Sequence, residues 1–470
     1  SRQLGRNIFS LGLSRVVYGI IIFVVYIRLV TYLGPESFGK LSLVLAYYTI
    51  FFILIDFGIS RFITREVSPR KDLAGVYLAN HLLVQILVAF LTLAFFVVVP
   101  RLFDYEPGVI YGMLLVGIGL MIGAFSIPFR VLADVWQRLD IASALNFLNT
   151  ILTASWMALA IYLKRDFIFI FWVYIVIGLL SVVFYWVVSR RWTRPVFEVS
   201  FPLMRRMLLF GMPFALISGF ELLIQKVDAI IQKFYLPFEQ LGYYSAAYRF
   251  LDFLTFIPAV AALSLFPFLA EAVILNKPEV TAILNRLNRY LILLALPLGV
   301  AGTVFAPEII RTLFDASYDA AAAPFQILIW VSAITFIYAV PNVIMQLKRT
   351  SATAVILAVV TVLNAGANWF FLSRGGGIIA SAWITFFSYV LIATSFILIA
   401  QREAVLNFIR YLFWPGIATA LMVVVMLQLR GLNFYFLAAL GGSTYLAFLF
   451  VVRFIKKDDL LYLRAIFTRQ

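Results

Sequence analysis

The chain is a succession of apolar runs, each long enough to cross a bilayer and separated from the next by a few polar residues. From Leu82 to Pro100 it reads LLVQILVAFLTLAFFVVVP, and from Phe167 to Ser189 FIFIFWVYIVIGLLSVVFYWVVS. A spanning helix needs about 20 mostly apolar residues. In hydrocarbon only helices and closed barrels satisfy their own backbone polar groups. These runs are continuous rather than alternating, so barrel strands are excluded. The expected fold class is an all-α polytopic membrane protein. Composition agrees: 64% of residues are hydrophobic and 13% charged, against about 45–50% and about 25% in soluble domains.

Fourteen spans are read, at 8–32, 41–60, 76–100, 108–130, 143–163, 167–189, 207–235, 241–266, 290–314, 323–346, 352–372, 377–400, 406–429 and 433–453. With the N-terminus inside, 25 of the 37 lysines and arginines fall in inside segments and 8 in outside ones. The positive-inside rule then puts both termini in the cytoplasm. It also gives the net charge of +15 a simpler cause than nucleic-acid binding. The longest hydrophilic segment, near 190–206, is too short for a catalytic domain, so the chain is not expected to be an enzyme. There is no cysteine, which removes disulfides and thiolate metal sites. The one histidine, His81, lies near a helix start and is read as an interfacial polar residue. No metal or cofactor is expected.

Two connectors repeat. Residues 33–42 read LGPESFGKLS and residues 236–245 read LPFEQLGYYS, with leucine, glutamate, glycine and serine at the same offsets. The first joins spans one and two, the second spans seven and eight. An even number of spans separates them, so both copies share one orientation, as in a parallel repeat about an axis along the membrane normal. Spans four and ten echo each other more weakly: each carries a proline (Pro128, Pro341) and ends on basic residues. The spans that follow them carry Asn146 with Asn149 and Asn364 with Asn368. The expected organisation is an N-lobe over 1–200, a C-lobe over 201–400, and a two-helix tail with a cytoplasmic end over 401–470.

Charged side chains inside spans are costly and mark functional candidates. The basic ones are Arg15 and Arg28 in span one, Lys226 in span seven and Arg249 in span eight. The clearest acidic ones are Asp56 in span two, Glu221 and Asp228 in span seven, and Asp252 in span eight. Glu221, Gln225, Asp228 and Gln232 fall within a sector of about 60° on a helix and form one polar stripe, expected to face a wet cavity. Arg249 and Asp252 are three apart and can pair. Other roles stay open. Arg28 can snorkel to the headgroups, Lys226 can pair with Glu221 or Asp228, and the asparagine faces of spans five and eleven suit interhelical hydrogen bonds better than substrate contacts.

The stretch YLGPESFGKLSLVLAYYTIFFILIDFGISRFITRE resembles the start of Wzx-type polysaccharide flippases. GMPFALISGFELLIQKVDAIIQKFYLPFEQLGYYSAAYRF resembles their seventh and eighth helices, and LPLGVAGTVFAPEIIRTLFDASYDAAAAPFQIL their ninth and tenth. The resemblance covers roughly residues 5–400. It implies the multidrug/oligosaccharidyl-lipid/polysaccharide exporter superfamily, with two six-helix lobes and two extra C-terminal helices. It implies a polyprenyl-pyrophosphate-linked oligosaccharide, such as an O-antigen unit, moved to the outer leaflet of a prokaryotic plasma membrane, with polysaccharide assembly proteins as partners. Relatives hold the pyrophosphate with basic residues in helices one, two, seven and eight. Arg15, Arg28, Lys226 and Arg249 occupy three of those helices. Proton or sodium coupling would suit Asp56, Glu221, Asp228 or Asp252, with Gln225 as a polar neighbour. The four basic and four acidic groups balance, which leaves open a drug or cation antiporter of the same superfamily. A membrane-embedded O-antigen polymerase fits less well, because the outer loops are short.

Overall fold

The computed structural model describes residues 2–196, 198–274, 278–403, 408–429 and 433–454, with side chains at 19, 21–52, 54–138, 140–196, 198–255, 258, 284–401, 408, 411–429 and 433–454. The described residues form sixteen α-helices and no strand. They begin with α1 (Arg2–Leu54), α2 (Ile59–Val67), α3 (Ala74–Leu102), α4 (Pro107–Ala124), α5 (Ile127–Val135), α6 (Leu139–Tyr162), α7 (Phe167–Ser189) and α8 (Phe201–Tyr235). They continue with α9 (Phe238–Ile274), α10 (Pro278–Val304), α11 (Ala306–Leu313), α12 (Ala322–Lys348), α13 (Thr350–Leu372), α14 (Gly377–Glu403), α15 (Phe408–Gln428) and α16 (Phe434–Val451).

Twelve segments among the described residues are long and apolar enough to cross a membrane. The 53 residues of α1 hold two spans. Straight, α1 would be about 80 Å long, far beyond a hydrocarbon core of about 30 Å. It bends at Gly34, whose φ of 71° and ψ of 168° are non-helical. Taking α1 as two spans and adding α9, whose side chains past Pro258 lie outside those described, gives the fourteen read from sequence. The protein is a multi-pass membrane protein.

The chain groups into two compact units, Ser1–Ala246 with Leu357–Ser381, and Ala247–Ile356 with Ala382–Gln470. In the second unit α10, α12 and α15 pack through Leu291, Ile292, Phe336, Ile344 and Phe408. There α16 closes on α10, where the Tyr445 hydroxyl donates to the Leu293 carbonyl across 2.6 Å. In the first unit α13 packs on α8 through Trp369, with ring centroids 6.0 Å from Phe234 and 5.3 Å from Tyr235.

The two repeated connectors meet inside the first unit. A Cβ on Gly39 would overlap the Phe238 carbonyl, and a Cβ on Gly242 would overlap the Pro35 carbonyl. Pro35 and Phe238 hold the same place in the two copies, as do Gly39 and Gly242. The contact is therefore reciprocal, as at an interface between copies related by a twofold axis. Only glycine lets the two backbones come this close. The connectors are less loop-like than the sequence suggested: after Gly34 and Pro237 each enters a helix at once.

Three of the spans read as continuous are broken: span nine stops at Val304 and resumes at Ala306 as α11, and the other two breaks bear on the site. Span two stops at Leu54 and resumes at Ile59 as α2, with Phe57 at φ 48° and Gly58 at φ 70°. Span four stops at Ala124 and resumes at Ile127 as α5. His81 is not interfacial in the sense expected: it is buried at 0% exposure within the first unit. It sits on α3 one turn from Gln85, whose amide donates to the Ile55 carbonyl across 3.0 Å. That bond occupies a carbonyl at the break in span two, where the regular helix ladder is interrupted.

Candidate binding cavity

The two breaks frame a cavity of about 1210 Å³ within the first unit. The first break puts Asp56 in its wall, where the carboxylate accepts a bond from the Ser60 hydroxyl. The turn that does this sits directly on α8. A Cβ on Gly58 would overlap the Gly211 carbonyl, so glycine is needed there for both its φ and its size. From this turn α2 carries Arg61 and Arg65, one helical turn apart, into the cavity wall. The Arg61 guanidinium lies 5.7 Å from the Phe214 ring centre, and that of Arg65 lies 5.9 Å from Phe62. The second break puts Ser126, Arg130 and Asp134 in the wall. The Nε of Arg130 is buried with no partner among the described residues. Asp134 lies beyond the C-terminal end of span four; burial pushes its carboxyl upward, and the Arg130 guanidinium opposes that rise. Three guanidinium groups thus share the wall with two carboxylates.

A further wall comes from α6, through Asn146, Asn149, Thr150 and Thr153. The Thr150 and Thr153 hydroxyls donate to their own helix, at Asn146 and Asn149, each across 2.8 Å. Tyr48 and Phe52 of α1 and Tyr174 of α7 add an aromatic face. Tyr48 and Tyr174 have ring centroids 4.5 Å apart.

Of the charged candidates read from sequence, Asp56 alone is among the lining residues of this cavity. Arg15 has a side chain outside the described set. Arg28 is exposed on α1, and Lys226 is half-buried on α8. Glu221 and Gln225 are half-buried on α8, where the Gln225 amide donates to the Glu221 carbonyl across 2.9 Å. Asp228 is buried at 1% exposure; it accepts from the Tyr244 hydroxyl and from the Ala229 amide, the latter at 2.7 Å. Gln232 is buried at 0% exposure. The C-terminal half of the stripe, Asp228 and Gln232, therefore faces packed protein rather than an open wet surface. Arg249 and Asp252 pair at 3.6 Å in the second unit, as their spacing suggested.

Arg61, Arg65, Arg130 and Asp134 were not among the candidates. In the sequence the three arginines count as positive loop residues on the inner side. The only signals of their position are the Asp-Phe-Gly and Ser-Ile-Pro breaks that precede them. Among the described residues no group of three or more histidine, cysteine or acidic side chains is placed to hold a metal.

This cavity lies within the fold of a transporter class. The lipid II flippase MurJ, in an inward closed conformation, superimposes with a TM-score of 0.72 at 14% identity, over 96% of this chain and 99% of that one. A multidrug resistance MATE family transporter of the MOP superfamily, in an inward-facing conformation, gives 0.64 at 13% identity, over 83% and 95%. Among curated protein sequences none matches. The model of a family described as polysaccharide biosynthesis protein matches residues 4–273. The chain belongs to that family, and the Wzx-type resemblance read from its sequence stands.

Proposed function

We propose that this protein is a flippase that moves a polyprenyl-pyrophosphate-linked oligosaccharide from the inner to the outer leaflet by alternating access, coupled to a proton or sodium gradient. The observation that carries this reading is the convergence of Arg61, Arg65 and Arg130 on one cavity in a polysaccharide biosynthesis family member. Guanidinium groups bind phosphate oxygens through paired, charge-assisted hydrogen bonds, and do so most strongly away from bulk water. The neighbour MurJ is a lipid II flippase, and we assign the lipid-linked class of substrate to this chain as well. The lipid tail stays in the bilayer while the head group crosses.

Arg15, Arg28, Lys226 and Arg249 belong to the proposal as further cations for the pyrophosphate along its path. Asp56, Glu221, Asp228 and Asp252, with Gln225, are assigned to the coupling ion. No covalent step is required, so no enzymatic activity is assigned. A carrier of cationic drugs would favour carboxylates over guanidiniums, and arginines outnumber carboxylates in this cavity. Loop charge supports cytoplasmic termini, and a lipid-linked sugar pathway supports a prokaryotic plasma membrane with polysaccharide assembly proteins as partners.

The test is binding of a short polyprenyl pyrophosphate, without sugar, to the purified full chain. Wild type should bind. Arg61→Ala and Arg130→Ala should each weaken binding about tenfold or more, as expected for loss of a charge-assisted hydrogen bond. Failure of wild type to bind this lipid, together with binding of a lipophilic cation, would overturn the reading in favour of the antiporter.

A further inference from the structure

We infer that the α6 wall of this cavity, with the aromatic face beside it, is a subsite for a sugar ring, and that it selects which glycan the protein carries. The inference rests on the proposed function and deepens it. The cavity, at about 1210 Å³, exceeds the range of roughly 300–1,000 Å³ usual for small-molecule sites. A pyrophosphate held by Arg61, Arg65 and Arg130 does not account for all of it. The remaining wall has a different chemistry. Asn146 is exposed, and Asn149 is half-buried with a side-chain oxygen that has no partner among the described residues. A carboxamide offers two donors and one acceptor, which suits neighbouring sugar hydroxyls that each donate and accept. The Thr150 and Thr153 hydroxyls spend their protons on their own helix and present only acceptor oxygens.

The aromatic face completes the match. A pyranose has apolar C–H faces and a polar hydroxyl rim. Tyr48 and Phe52 are stacked with ring centroids 5.7 Å apart, and Tyr174 adjoins Tyr48. Flat rings of this kind offer apolar area against which a C–H face can pack, while the amides read the rim. Hydroxyl stereochemistry is discriminated where buried polar groups are left unpaired by the wrong epimer. Purely structural asparagines would be closed within helix packing, whereas Asn146 is exposed.

The test uses the purified full chain and polyprenyl pyrophosphates carrying no sugar, glucose, galactose or N-acetylglucosamine. In wild type, one sugar-bearing lipid should bind about tenfold tighter than the bare lipid, the gain from one or two net hydrogen bonds. In Asn146→Ala with Asn149→Ala, that ratio should fall to about one. Alanine keeps the helix, and an unchanged unfolding midpoint would show that the fold is intact. Saturation-transfer NMR with the methyl glycosides of the same sugars reads the subsite without any pyrophosphate. A signal in wild type that is lost in the double variant supports the subsite even if the bare lipid fails to bind and the flippase reading falls. Equal affinity of wild type for bare and sugar-bearing lipids, with no glycoside signal, overturns the subsite. A sugar preference that survives the double variant also overturns it.

Discussion

Gln85 shows how much one buried amide holds in place. It is buried at 0% exposure on α3, and its bond to the Ile55 carbonyl occupies a backbone group at the break beside Asp56. Gln85→Leu keeps the bulk and removes the donor. The carbonyl then lacks that partner within an apolar wall, at a cost of about 1–3 kcal/mol. A lower apparent melting temperature in detergent is expected, together with weaker polyprenyl pyrophosphate binding, because the turn that aims Arg61 loses its support. A second prediction concerns the stripe on α8. Glu221→Gln with Asp228→Asn should abolish the response of transport in vesicles to an imposed proton or sodium gradient. A full response in the double variant would remove these two carboxylates from coupling. A polar group interrupting an apolar run was legible as a candidate at Asp56, whereas Asn146 and Asn149, which line the same cavity, read first as interhelical hydrogen-bonding groups. Residue chemistry was not legible at Arg61, Arg65 and Arg130. In the sequence their charges count like those of ordinary loop residues, and nothing local separates a loop arginine from one on a short helix lining a cavity.

At the scale of elements, the breaks in spans two and four matter more than the spans themselves. Hydropathy averages over a window longer than the gap from Ile55 to Gly58, so the run reads as one helix, and the same averaging hides Phe125 and Ser126. The long helices, their order and the asparagine face of α6 were legible because each rests on many residues. The break rests on two adjacent residues at positive φ, Phe57 and Gly58, and only at the second does a Cβ also meet a backbone carbonyl. Gly58→Ala forces a Cβ into a positive-φ position against the Gly211 carbonyl. Positive φ alone costs about 1 kcal/mol, and the overlap adds to it because a backbone carbonyl cannot rotate away. The expected result is a clear drop in the unfolding midpoint, larger than for Gly416→Ala on α15, where an added Cβ meets nothing. Equal midpoints for the two variants would show that the break tolerates an ordinary residue.

For the molecule as a whole, the repeated connector has a physical reason beyond duplication. Two copies of one short sequence cross so that the glycine of each lies on the carbonyl four residues earlier in the other. The sequence showed that the copies match; it did not show that they touch, because the contact joins residues about 200 positions apart and leaves no local trace. Reciprocity makes a strict prediction. Gly39→Ala and Gly242→Ala each place a Cβ on the same crossing, so each should destabilise by a similar amount, of the order of 1–3 kcal/mol for an overlap that cannot be relieved by a rotamer change. Either substitution must push the two backbones apart. Once they are apart, the second methyl meets an opened contact, and the double variant should cost less than the sum of the singles, the coupling expected of residues that share one interface. The measurement is the apparent unfolding midpoint of the four proteins in one detergent. Strict additivity, or a large effect from one glycine and none from the other, would mean that the two connectors do not bear on each other as a symmetric pair.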